Sequence, residues 1–288
     1  MLEIAHAVPR PSASPAARSL RLAVRAFHAA LGLGVLVLLW QAGTAVFSPP
    51  AYLLPSPLAV AKVFRDQWDF LLGQSLVTLS EILIGLVAGA VLGAGTAFVL
   101  AASPRIGPFV WPTILILQAL PVFVLAPILV VWLGFGMASK IAMTVLIIFF
   151  PVASAFADGL NRTERDIVDA VSLTQASHWQ ALVSVRAPLA LPSLVSGLRV
   201  AAPLAPLGAV VGEWVGASAG LGFVMVQANA RMQTATVFAA MVVLAVMTLL
   251  LRLLVDLLTA RLAPWAREGG RLHPERRTSQ TIPSWRSS

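Results

Sequence analysis

Apolar runs of membrane-crossing length alternate with short polar breaks along most of this chain. Runs at 27–47, 75–101, 106–133, 141–159, 189–212 and 235–258 carry almost no charge, and about 20 apolar residues suffice to cross a bilayer as a helix. The pattern predicts an all-α membrane protein with about six transmembrane helices. In the second run Gly85, Gly89 and Gly93 recur at every fourth position, which lines one helix face with small residues and permits close contact with a neighbour. In the third run Pro121 and Pro127 remove backbone donors at mid-membrane depth, so a bend or unwinding is expected there.

The breaks carry their own pattern. The stretch 58–70 is amphipathic, with Lys62, Arg65, Asp66 and Asp69 on one side, as expected of a segment lying along the membrane interface with Trp68 at headgroup depth. The break at 213–234 is expected to form the mouth of the bundle, with Glu213, Trp214 and Arg231 in it. The longest polar break lies between two uncharged runs and is periodic. Ile167, Ala170, Val171 and Thr174 recur at helical spacing; so do Trp179, Leu182, Val183 and Arg186, after an interruption near Gln175. Two short amphipathic helices joined by a turn are predicted, with Pro188 and Pro192 opening the next span.

Composition agrees. The chain has 288 residues, 58% hydrophobic and only 11% charged, against about 25% in soluble domains. No cysteine is present, which excludes disulfides and thiolate metal sites. The sequence pI near 11.5 invites a nucleic-acid reading, but the basic residues flank apolar runs and few interleave with aromatics; no nucleic-acid partner is expected. The ends, 1–25 and 266–288, are basic and rich in Pro and Ser and are expected as disordered tails around a membrane domain at 26–265. Of the 20 basic residues, only Lys62, Arg65, Lys140 and Arg231 fall on the side opposite the 161–187 loop, and only Arg199 and Arg252 lie within spans. That excess places the loop and both termini in the cytoplasm.

Candidate chemistry is sparse. His6, His28, His178 and His273 are scattered, and neither HExxH nor a Walker A sequence occurs. The chain is therefore expected to be neither an enzyme nor a holder of metal or cofactor. Glu81 is the only charge in its run, where a charge is costly unless it is paired or functional. Glu81, Gln118, Pro121, Glu213 and Trp214 are the candidate pathway residues. An ion-coupled secondary transporter would show paired inverted repeats or intramembrane carboxylates; only Glu81 and Asp158 approach span interiors.

The loop resembles the "EAA" motif of ABC-importer permeases: Glu-Ala-Ala, three residues, Gly, nine residues, Ile-x-Leu-Pro. Asp169, Ala170 and Val171 stand at the first three positions, Gln175 at the glycine, Val185 at the isoleucine and Ala187-Pro188 at Leu-Pro. Gln175 is the main departure, because glycine there supplies a left-handed turn that costs other residues roughly 1–2 kcal/mol. The resemblance implies the type I importer permease fold in a bacterial inner membrane. It implies a loop seated on an ATPase subunit through Asp169, Ala170, Val171, Gln175, Ala176, Trp179 and Pro188. It also implies two ATPase copies, a second permease copy, an extracytoplasmic substrate-binding protein and surrounding lipid. QALPVFVLAPILVVWLGFGMASK, IIFFPVASAFADGLNRT and GAVVGEWVGASAGLGFVMVQANARMQT are similar to the hydroxymethylpyrimidine (thiamine-precursor) branch. That branch lies within the wider nitrate, sulfonate and taurine permease family.

Overall fold

The computed structural model of the chain describes residues 15–103, 105–118, 120–162, 173 and 175–262. Among these residues every regular element is helical. In order they are α1 (Pro15–Phe47), α2 (Pro57–Asp66), α3 (Trp68–Ala102), α4 (Gly107–Leu117), α5 (Val122–Leu133), α6 (Met137–Asn161) and α7 (His178–Ala181). A π turn (Leu182–Arg186), α8 (Ala187–Ala201), a 3-10 turn (Ala202–Leu204), α9 (Ala205–Gly216), α10 (Leu221–Ala230) and α11 (Thr234–Thr259) follow. Helices α3, α6, α11 and the continuous helical run His178–Gly216 are each long and apolar enough to cross a membrane. The apolar part of α1, Leu31–Phe47, and the pair α4–α5 account for the other two expected spans.

Helix α6 is the hub, packed against α3, α5, α8 and α9. Glycine sets how close the neighbours come. A Cβ at Gly89 would stand 2.9 Å from Ile148 Cβ, and one at Gly93 would stand 2.8 Å from the Phe149 carbonyl oxygen. The predicted glycine face of α3 therefore lies on α6. The same device, unread in the sequence, seats the His178–Gly216 run on the other side of α6. A Cβ at Gly208 would meet Thr144 Cα at 2.6 Å, and one at Gly212 would meet Lys140 Cα at 2.8 Å. Between these contacts Ile82, Leu86, Ile148, Val152, Ala205 and Leu251 form the largest buried apolar cluster. Large apolar side chains such as Leu36, Val131, Trp132 and Leu249 point outward and stay exposed, as surfaces facing an apolar medium do.

Several boundaries differ from expectation. Helix α1 begins at Pro15, so 15–25 is helix rather than tail. The stretch is rich in Ala, Leu and Arg, all strong helix formers, and Pro is favoured at a first helical position. Residues 1–14 and 263–288 lie outside the described residues. The 58–70 segment divides into α2, capped by Ser56 Oγ accepting from Ala59 N at 3.2 Å, and the first turn of α3. The third span is interrupted at 118–121, with Pro121 as N-cap of α5, whereas Pro112 and Pro127 sit inside helices. Pro121 has no N–H to continue the helix and biases the preceding residue away from helical backbone.

The fifth span starts eleven residues earlier than expected. Its second amphipathic helix is not separate: α7 runs through the π turn into α8. A proline ring clashes with the carbonyl four residues back, and the helix widens into the π turn just before Ala187-Pro188. The break at 213–234 is also largely helical, with Glu213 inside α9.

Because the α3–α6 contact admits no side chain at Gly89, Gly89→Leu should cost about 1–3 kcal/mol or more by overpacking. Gly95→Leu, where a Cβ would meet nothing within 4 Å, should be silent. Thermal unfolding of the two variants in detergent, read beside the unsubstituted chain, checks this.

Candidate functional site

Two polar constructions stand at opposite ends of the bundle. At the loop end, Gln175 has φ +56°. The left-handed turn that glycine would supply is thus adopted by glutamine, just before a segment fixed by other contacts. Ser177 then starts α7 with a capping box. Its Oγ accepts from Gln180 N at 3.3 Å, and its N–H donates to Gln180 Oε1 at 2.9 Å. Two orphan donors of the helix start are satisfied this way.

Three contacts fasten this elbow to the spans. The His178 ring nitrogen Nε2 lies 3.1 Å from the Ala101 carbonyl at the end of α3. Trp179 packs edge-on against Phe98 of α3, ring centroids 5.8 Å apart. Arg186 donates through Nε and Nη2 to the Leu160 carbonyl in the last turn of α6, at 2.9 and 2.7 Å. That carbonyl is one of the four a helix C-terminus leaves unpaired. Leu182, fully buried, fills the corner between them with Phe156 and Ala190. Of the resemblance residues, Gln175, Trp179 and Pro188 are exposed and Ala176 is half-buried. Asp169, Ala170 and Val171 lie outside the described residues.

At the opposite end the polar groups are sealed inside. Glu81 is fully buried and ion-paired to Lys140 of α6 at 2.9 Å. Glu81, a candidate pathway residue, is thus sealed against Lys140, and Lys140 does not lie in an exposed turn: α6 begins at Met137 and buries Ser139 and Lys140. Glu213 is 1% exposed and so does not stand at an open mouth.

The Glu213 carboxylate accepts from Thr78 Oγ1 at 2.7 Å and from Gly222 N. Thr78 Oγ1 in turn accepts from Leu221 N at 2.8 Å, and Gln74 Oε1 accepts from Gly220 N at 2.6 Å. The buried start of α10 thus has its unpaired N–H groups capped by side chains from α3 and α9. Gly220, at φ +110°, leaves room for the Glu213 carboxylate that a Cβ would fill. Gln74 and Thr78 were not singled out in the sequence; with Glu81 they recur at i, i+4, i+7, and that polar stripe on an apolar span is the signal that could have found the network.

The remaining expected residues separate from this network. Trp214 is exposed and lines an apolar groove of about 600 Å³ with Leu207, Val210, Met225 and Met241. Gln118 and Pro121 sit at the interruption of the third span, with Gln118 exposed. Arg199 pairs with Asp256 at 2.9 Å, and Arg252 pairs with the same carboxylate at 3.0 Å. Among the described residues no group of three or more His, Asp or Glu is placed to hold a metal ion.

Helices of membrane-crossing length, tied together at one end by the elbow, are the architecture of an integral membrane protein. Residues 81–268 match the family described as binding-protein-dependent transport system inner membrane component, and the chain belongs to that family. A probable ABC transporter permease protein of Haemophilus influenzae is 44% identical over 238 residues, covering 83% of this chain and 97% of its own length. The formylaminopyrimidine transport permease protein ThiX of Halalkalibacterium halodurans is 34% identical, covering 81% of this chain and 94% of its own. The riboflavin transport system permease protein RibX of Chloroflexus aurantiacus is 35% identical, covering 90% and 97%. More distant relatives are described as aliphatic sulfonate and taurine permeases. The chain is thus an ABC importer permease of the type I fold, a transport subunit rather than an enzyme. Membership implies a separate ATPase and a substrate-binding protein as partners.

Removing one partner of a buried ion pair strands the other. Lys140→Met should therefore cost about 3–5 kcal/mol, and the double variant Lys140→Met with Glu81→Leu should recover most of it. Equilibrium unfolding of both in detergent tests the pair; a single variant as stable as the parent would show that Glu81 does not need Lys140.

Proposed function

We propose that two copies of this permease form the pathway of an ATP-driven importer for a small neutral N-heteroaromatic solute of the hydroxymethylpyrimidine, thiamine-precursor type. One observation carries the substrate class. A helix N-terminus inside a membrane protein is a ready anion site, and here the buried start of α10 is filled by the chain's own Glu213. Lys140, Arg199 and Arg252, described cations within the apolar helices, each face a carboxylate. None of these three is left over for a sulfonate or nitrate. The relatives named as formylaminopyrimidine and riboflavin permeases support the same class.

In this reading the 161–187 loop lies in the cytoplasm with both termini, and lipid covers the outward apolar faces. Asp169, Ala170, Val171, Gln175, Ala176, Trp179 and Pro188 form the elbow that seats on the ATPase. ATP binding draws two ATPases together; the elbows move with them and turn the cavity outward to accept solute from the binding protein. Hydrolysis resets the cavity inward. The α3 and α6 attachments of the elbow support this route, because a displaced elbow must carry the ends of both helices.

Asp169→Lys or Ala170→Trp should lower uptake by at least about tenfold, the size of a coupling free energy of 1–3 kcal/mol, with unchanged amounts in the membrane. Full uptake in both variants would remove the elbow from the mechanism.

The substrate class is tested on the reconstituted complex of permease, ATPase and binding protein. ATPase stimulation is expected with hydroxymethylpyrimidine and not with taurine, an aliphatic sulfonate or nitrate. The reverse result would select the anion-permease reading that the more distant relatives represent.

A further inference from the structure

On the flank of α6 facing the interrupted third span lies a groove of about 510 Å³. It is within the size range of small-molecule sites. Its floor is the tight contact of α8 on α6, where a Cβ at Gly197 would stand 2.7 Å from Ala155 Cβ. Gln118, Phe150, Ser154, Asp158 and Ser196 line it.

Asp158 differs from the carboxylates that are tied to a neighbour across the helices. Glu81, Glu213 and Asp256 each have an ion-pair or hydrogen-bond partner, whereas the exposed Asp158 carboxylate has none among the described residues. Asp158 stands one turn before the end of α6 and lines this groove, and an ionisable group at a cavity of a transmembrane protein is a candidate functional group. Ser154 and Ser196 differ in the same way. The hydroxyls of Ser75, Ser80, Ser139 and Thr144 bond back to their own helices; those of Ser154 and Ser196 have no such bond among the described residues. Gln118 ends α4 where the helix stops, so its amide stands beside irregular backbone, which is tolerated at membrane depth where it lines a cavity.

The groove thus gathers an acceptor-only carboxylate, a side-chain amide, two hydroxyls and one aromatic ring. We propose that this groove is the permease's own solute-binding surface, and that it recognises an aminopyrimidine edge-on. The exocyclic amine donates to Asp158, the Gln118 amide donates to a ring nitrogen, and the ring packs on Phe150. The carboxylate also repels anionic solutes at the same point. This rests on the neutral-heteroaromatic reading above, and it names groups that reading does not.

The test uses the full complex reconstituted in liposomes, with radiolabelled hydroxymethylpyrimidine and the same ring carrying hydrogen in place of the amino group. The parent complex is expected to favour the amino compound. Asp158→Asn and Asp158→Ala should lower uptake of the amino compound by about tenfold or more, the worth of a hydrogen bond to a charged group. They should also erase the preference between the two rings. Asp158→Glu should restore part of both. Ser196→Ala, a milder change less able to disturb folding, should weaken uptake in the same direction.

If the parent carries the amino compound and the Asp158 variants carry it at the parental rate with the preference intact, Asp158 is a solvated helix-end carboxylate and the site is overturned. If the parent carries neither ring, the substrate class itself fails, and the aminopyrimidine assignment of the groove fails with it.

Discussion

The fold depends on how closely two helices approach α6. Inside a bilayer, lipid tails are as apolar as leucine, so burial of apolar surface does not drive helices together as it does in water. Packing, hydrogen bonds and small residues do that work. Here Gly89 and Gly93 bring α3 down on one face of α6, and Gly208 and Gly212 bring α9 onto another. Once three helices lie this near, the polar groups between them are held against one another.

That consequence is visible at the end of the bundle remote from the elbow. Gly212 sits against Lys140, and Glu213, the next residue, reaches Thr78 on α3, three residues before the Glu81 that pairs with Lys140. The glycine contacts and the polar network are one construction: the first sets the distance, and the second is what that distance makes possible. The same network ends α10 inside the protein. A ten-residue helix is about 15 Å long, too short to span a membrane, and one of its ends is buried as a result. Gln74, Thr78 and Glu213 supply the capping that end requires.

Much of this was legible in the sequence and some was not, for physical reasons. The existence and rough placement of the apolar spans follow from length and hydropathy, but the early start of the fifth and the break in the third do not. The glycine face of α3 was visible because its spacing repeats every four residues. Its counterpart over Gly208 and Gly212 is a single pair among prolines and did not stand out. Lys140 was misplaced because a helix boundary read from charge stops at the charge, whereas α6 begins one turn earlier and buries it. Glu213 was misread for a related reason. A carboxylate after an apolar run looks like the start of a loop, and only the fold shows that a second helix start awaits it. Gln175 is the opposite case. Its departure from glycine argued against a left-handed turn, yet the backbone adopts one, because the Ser177–Gln180 capping box and the contacts of His178 and Trp179 fix the chain beyond it. Tertiary constraint outweighs a local cost of roughly 1–2 kcal/mol.

The two ends together bear on how motion would cross the bundle. At the elbow, His178 and Trp179 hold α3 while Arg186 holds α6. At the other end, Glu81 on α3 is tied to Lys140 on α6. The same two helices are therefore joined at both ends, and glycine contacts hold them along the middle. Such a pair cannot slide or splay without breaking buried polar contacts, so on the importer reading it moves as a rigid unit when the elbow is displaced. Compliance must lie elsewhere. The interruption at 118–121 and the irregular turns at 182–186 and 202–204 are where regular helical bonding is already broken. These joints border the α3–α6 pair without belonging to it. A solute surface beside the first of them, on the flank of the rigid pair, would change its accessibility as the pair turns without changing its own shape.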